Sequence, residues 1–177
     1  MFPLRVRSSY SLLEGTAPPA TLCRLARQHG YPGLALTDND NLYGLWSFLA
    51  ACRGEGVRPV VGAEISEPGS TRRVTCLVED EAGYRSLCRL LSRRHAPPDF
   101  DLAAALVAGS QGLTILGDDL PLLRELWEAG LKPVADLGPQ PTAAGRRLRN
   151  WARSRGVTAV ATPASRIAGD DQRELYR

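Results

Sequence analysis

Lysine and histidine are nearly missing from this sequence. Of its 22 basic residues only Lys132 is a lysine, so a formal charge of +3 is carried almost wholly by arginine. That weak positive balance is compatible with a nucleic-acid partner without requiring one. The two histidines, His29 and His95, fall at the end of a helical pattern and in the loop RRHAPP, positions that suit a helix-end residue and a solvated one better than catalysis. The four cysteines, Cys23, Cys52, Cys76 and Cys88, form no CxxC pair and sit on apolar faces, which favours buried reduced thiols over bridges or zinc ligands. No apolar run approaches the roughly 20 residues needed to cross a bilayer, and the start MFPLRVRSS lacks the apolar stretch of a secretory signal. The expected compartment is the cytoplasm, with no membrane partner.

What is present reads as one globular domain over residues 1–177, with 44% hydrophobic and 23% charged residues. Strand-length apolar runs fall at 2–7, 33–37, 57–62, 73–79, 112–117, 132–137 and 157–162. Helical spacing fills 18–29, 44–53, 81–94, 120–129 and 142–155, with a weaker helix at 101–108. Thr16 is expected to cap the first of these ahead of Pro18 and Gly30 to stop it; Thr142 and Gly156 do the same for the last. Strands alternating with helices predict a parallel sheet, and seven of them predict an α/β fold of the small β/α barrel kind, with an open doubly wound sheet as the alternative. The closing run GDDQRELYR reads as the start of a helix with no stop signal, as expected of an N-terminal fragment of a longer chain, while Met1 reads as a natural beginning.

In a parallel β/α barrel, functional groups gather at the carboxyl ends of the strands. Those ends carry Arg5 and Arg7, then Asp38 and Asn39, Glu64, Asp118 and Asp119, and Asp136. Period-two alternation puts Arg5 and Arg7 on one strand face. Two helices carry further arginine: Arg85, Arg89 and Arg93 recur every four residues on one, and Arg146, Arg147, Arg149 and Arg153 crowd the other, with Arg155 at its end. These faces suit DNA phosphates or an acidic partner, or else are ordinary solvated surface. No aromatic residue interleaves with the arginines, so the pattern does not support a base-stacking platform.

Four runs in order, LRVRSSYSLLEG, GYPGLALTDNDNLYG, RPVVGAEI and EAGYRSLCRLLSR, resemble the amino-terminal PHP (polymerase and histidinol phosphatase) domain of bacterial family C DNA polymerases. That family comprises the DNA polymerase III alpha subunit and its error-prone relatives, and the last run is closer to the error-prone branch. The resemblance implies a distorted seven-stranded β/α barrel and a polynuclear metal site that supports phosphoesterase or proofreading exonuclease chemistry in some members. It places the family's ligand positions on Arg5, Arg7, Asn39, Glu64, Arg73, Ala164 and Arg166, keeps Asp38, retains an acidic residue as Glu14, and sets Asp119 loosely beside another.

Four of those positions hold arginine where the resemblance implies histidine. Imidazole offers a metal a nitrogen lone pair, whereas guanidinium has five donors, no acceptor and a pKa above about 12. No metal or other cofactor is therefore expected; the remaining carboxylates, Glu14, Asp38, Glu64 and Asp119, leave a Mg²⁺, Mn²⁺ or Zn²⁺ site as the alternative. Arg5 and Arg7 are expected to pair with Glu64, Glu14, Asp38 or Asp119 in the metal's stead, or else to lie on an exposed strand face. The expected function is a non-catalytic structural or docking module of a polymerase, its partners the remainder of the same chain, DNA or other replication and repair subunits. The alternatives are a remodelled metal-dependent phosphoesterase or 3′–5′ exonuclease, and a free-standing interaction protein.

Overall fold

The computed structural model describes residues 2–96 and 99–162, and the backbone of Ala164 and Ser165. Its elements run β1 (Arg5–Val6), α1 (Pro19–Gln28), β2 (Gly33–Asn39), α2 (Leu45–Glu55), β3 (Arg58–Ser66), β4 (Arg73–Val78) and α3 (Glu81–Arg94). They continue with α4 (Leu102–Gly109), β5 (Leu113–Gly117), α5 (Leu120–Glu128), β6 (Val134–Asp136), α6 (Ala143–Arg155), β7 (Ala159–Val160) and β8 (Ala164–Ser165). Each expected strand and helix within the described residues is present, and β8 is an addition. The closing GDDQRELYR and Arg166 lie outside the described residues. No described helix is long and apolar enough to cross a membrane.

The chain forms two compact units, one running to Ala63 and including Ala164 and Ser165, the other Glu64–Thr162. In the first, the strand order is β3-β2-β1-β8, and β1 runs parallel to both neighbours, with Val6 opposite Leu36 and Arg5 opposite Ala164. β1 is shorter than the expected 2–7 because Pro3 has no N–H to give, although its carbonyl still accepts from Ala35 N at 2.8 Å. The core of this unit gathers Val6 and Leu36 from the strands with Leu22, Cys23 and Ala26 of α1 and Phe48 and Cys52 of α2. The cap of α1 is Pro18 rather than Thr16, with no side-chain acceptor; Pro19 fixes the first helical φ instead. Cys23 and Cys52 are free and fully buried with their Sγ atoms 3.4 Å apart, a pairing across 29 residues that no CxxC search would find. The hydrogen bond they share holds the Cys23 thiol below its ordinary pKa and, with burial, pushes that of Cys52 up.

The second unit orders its strands β4-β5-β6-β7. β5, β6 and β7 are parallel, but β4 and β5 are antiparallel, with Thr75 opposite Leu116, which corrects the expectation of an all-parallel sheet. Two helices, α3 and α4, fill the β4–β5 connection, so the chain re-enters the sheet from the side it left, whereas a single crossover helix would have kept the strands parallel. As a result Arg73, at the amino end of β4, stands at the edge where β5 ends. Asp80, Asp101, Asp119 and Thr142 each cap a helix by accepting an amide three residues on.

Candidate functional site

The first unit builds its polar centre on Asp38, the sixth residue of β2, which is 2% exposed. The loop after β1, SSYSLLEG, wraps over this carboxylate and supplies its donors: Ser8 N at 2.7 Å and Ser11 Oγ at 2.6 Å to Oδ1, and Ser8 Oγ at 2.8 Å to Oδ2. The same two hydroxyls hold backbone as well, Ser11 Oγ accepting from Asn39 N at 3.0 Å and Ser8 Oγ from Tyr10 N at 3.2 Å. Glycine permits the close packing. A Cβ at Gly15 would stand 1.9 Å from the Ser8 carbonyl oxygen, and one at Gly44 would stand 2.8 Å from the Tyr10 ring and 3.3 Å from Asp38 Oδ2.

Arg7 lies at the base of this loop, only 3% exposed, and its guanidinium donates to the Glu14 carboxylate at the loop's other end. Burial rules out the exposed-face reading for Arg7, and Arg5 is half-buried. Glu14 is one of the carboxylates expected to receive an arginine. Asp38 differs from expectation: serine hydroxyls and an amide satisfy it, and its neighbour Asn39 contributes backbone to the same knot. Ser8 and Ser11 are thus the residues that the sequence reading passed over, although their spacing within SSYS gave a signal, since hydroxyls three apart in a turn can converge on one acceptor.

The second unit holds the other site positions. Glu64 is 3% exposed and faces the Arg73 Nε at 3.8 Å, an ion pair between two positions of the resemblance. Asp119 is spent as the N-cap of α5, accepting from Leu122 N at 2.8 Å. Asp136, 1% exposed, ties β6 to the end of β7 through Thr162 and accepts from Gly138 N at 3.0 Å. Asp118 is exposed, and of Ala164 only the backbone is described. The arginines of α3 and α6 named above are all exposed, Arg85 pairing with Glu81 one turn back.

These donor sets fit a cluster of divalent cations poorly. Arg7 and Arg73 present cations where lone pairs would be needed, Asp38 has three donors pointed at its oxygens, and Asp119 is turned to a helix end. Among the described residues no three His, Cys, Asp or Glu side chains come together in a metal-binding arrangement.

Large apolar side chains are exposed on the segments around Asp38. Leu12 and Leu13 are 83% and 93% exposed, and Tyr43 and Trp46, at the start of α2, are 73% and 78% exposed. Asn41 Nδ2 ties the two loops by donating to the Tyr10 carbonyl at 3.1 Å. Leu13 also has a left-handed backbone, φ 63°, where a side chain with a Cβ is strained.

Helices packed on a mixed sheet, with a carboxylate centre at the end of β2, make this an α/β protein. The chain belongs to the PHP domain family, whose model matches residues 3–117. It is 32% identical over 97% of its length to an error-prone DNA polymerase of Anaeromyxobacter dehalogenans, of which the match covers 15%. It is 37% identical over 52% of its length to the DNA polymerase III subunit alpha of Escherichia coli, of which the match covers 8%. The chain therefore spans a small fraction of these relatives. An amidohydrolase structure from Chromobacterium violaceum, with bound sulfate and no metal, aligns over 96% of this chain and 89% of its own, with TM-score 0.66 and 16% identity. A candidate metal-dependent phosphoesterase from Bifidobacterium adolescentis aligns over 95% of this chain and 87% of its own, with TM-score 0.62 and 16% identity. At such identities the likeness shows the fold, which is the PHP-like β/α fold expected from the sequence.

Proposed function

We propose that this is a single degenerate PHP domain that binds no metal and serves as a structural or docking module of a cytoplasmic bacterial DNA polymerase of the III alpha or error-prone kind. The observation that carries the reading is the buried Arg7 guanidinium held by Glu14. It sets a permanent charge where the resemblance puts a histidine ligand, and a fixed cation repels a metal as well as failing to bind it. With the metal given up, the ion pairs Arg7–Glu14 and Arg73–Glu64 keep carboxylates from facing low dielectric alone.

The docking role is supported by the patch of Leu12, Leu13, Tyr43 and Trp46. Large apolar side chains concentrated on two adjoining loops are unusual on a surface with no partner, and the strained Leu13 backbone holds one of them outward. The partner that fits is the rest of a polymerase chain, since the relatives named above carry this region as a small part of a much longer one. DNA and other replication or repair subunits are further partners, reached through the arginine faces of α3 and α6. The alternative, a phosphoesterase or 3′–5′ exonuclease acting through Mg²⁺, Mn²⁺ or Zn²⁺, draws on the phosphoesterase fold likeness. Hydrolysis of bis(p-nitrophenyl) phosphate and of labelled single-stranded DNA, with each of the three metals added, tests the choice. The proposal expects no turnover above a metal blank. Metal-dependent hydrolysis that disappears in Glu64→Gln would establish the alternative.

A further inference from the structure

On the second unit, α5 and α6 enclose a groove of about 860 Å³. One stripe from each helix lines it: Arg124, Trp127 and Glu128 from α5, and Arg147, Trp151 and Arg155 from α6. The spacings of four and eight residues along α6 put Arg147, Trp151 and Arg155 on one face, with the two arginines about 12 Å apart along the axis. Arg146, Arg149 and Arg153, also exposed, are not part of the lining. The fold thus brings Trp127 into one groove with arginines some 20 positions along the chain, so aromatics do accompany this basic surface, contrary to the reading of the linear pattern.

The groove's charge is unbalanced. Three arginines face a single glutamate, and none of the three has an ion-pair partner among the described residues. Its apolar lining is Leu120, Trp151, 8% exposed, and the half-buried Trp127, with Asn150 and Ser154 beside them. A ligand that fits must carry carboxylates or phosphates at two or more points and an apolar group between them. Trp151 is buried and Trp127 is the one ring left partly open, whereas a platform for a single strand stacks successive bases on several aromatics, which disfavours single-stranded nucleic acid. Guanidinium forks pair with carboxylates in bidentate fashion, and an interhelical groove with apolar side chains in its lining accepts a side-chain anchor.

We propose that the α5–α6 groove docks an acidic peptide segment of a partner protein, its carboxylates on Arg124, Arg147 and Arg155 and an aromatic or leucine anchor against Trp127. This surface is independent of the Asp38 centre and of whether that centre binds metal.

A display library of random peptides about 12 residues long, panned against the 177-residue chain, tests it. Enriched peptides are expected to carry two or more Asp or Glu around a Phe, Trp or Leu. Fluorescence anisotropy of the best labelled peptide should show affinity falling at least about tenfold in Arg147→Glu and in Arg155→Glu, with Arg149→Glu, off the groove, unchanged. Because these changes are on exposed positions, unaltered thermal melts confirm that the variants are folded. Enrichment of basic or uncharged peptides, absence of enrichment, or equal binding by the groove variants overturns the proposal. So does saturable binding of oligothymidylate that the same variants abolish.

Discussion

The Arg7 guanidinium reaches the Glu14 carboxylate from a position 3% exposed, joining the two ends of the loop that covers Asp38. The pair closes the loop on itself while neutralising a charge that the fold has taken out of water. Removing Glu14 takes away a carboxylate bound to a guanidinium that is 3% exposed. Glu14→Gln should cost about 2–3 kcal/mol, below the value for a fully buried pair because Glu14 is 31% exposed, and Arg7→Leu should cost less than Glu14→Gln since it removes the buried charge itself. Urea unfolding of both variants checks the order.

Asp38 should matter to the loop more than to any chemistry. Asp38→Ala strands Ser8 N and two hydroxyls in a buried site, and the expected loss is about 2–4 kcal/mol, against about 1–2 kcal/mol for Ser11→Ala, which removes the hydroxyl's bond to Asp38 and its acceptance from Asn39 N. Limited proteolysis should then open the chain near Leu12 and Leu13 first. Equal costs for the two variants would mean that the carboxylate is not the hub of the knot.

Leu13 offers a test of the docking reading. Leu13→Asn should leave the isolated chain as stable as the parent or about 0.5–1 kcal/mol more so, because asparagine tolerates the left-handed backbone that strains leucine. If the leucine is kept for a partner, the same change should weaken association with the remainder of the proposed polymerase chain, measured by co-purification of the separately expressed pieces. A variant that loses stability and keeps association would reverse both expectations.

Thiol chemistry should follow burial. Cys88, the half-buried cysteine, is expected to react with iodoacetamide before Cys23, Cys52 and Cys76, as mass mapping of a time course would show. Burial pushes the Cys76 thiol up from its ordinary 9.0 to about 12. In the window from about 9 to about 12 the unfolded chain ionises this thiol and the folded chain does not, so its contribution is present below that window and is lost as pH rises through it. Cys76→Val should flatten the alkaline fall in stability.

Much of the architecture is legible in the sequence because local periodicity decides it. The stripes of α1, α3, α5 and α6, the Thr142 cap and the Gly156 stop all come from residues within one or two turns of each other. Strand direction is different. β4 is reversed because two helices share one connection, and nothing in the β4 residues themselves records this. The site follows the same division. That Arg7 and Glu14 stand together in one motif is readable from LRVRSSYSLLEG, and their pairing spans only seven residues. The serine knot on Asp38, the Cys23–Cys52 contact and the Trp127–Arg147 groove join residues 20 or more apart through the fold, and pattern alone does not reach them.

The central claim is that arginine has taken the place of metal, and titration with Mn²⁺ followed by electron paramagnetic resonance tests it most directly. The purified chain should leave the free-ion signal undiminished at each addition, and so should Arg7→His, because Arg5 and Arg73 still set guanidinium groups at positions where the resemblance implies histidine. Stoichiometric loss of the free Mn²⁺ signal by the unaltered chain, restored in Glu64→Gln, would contradict it.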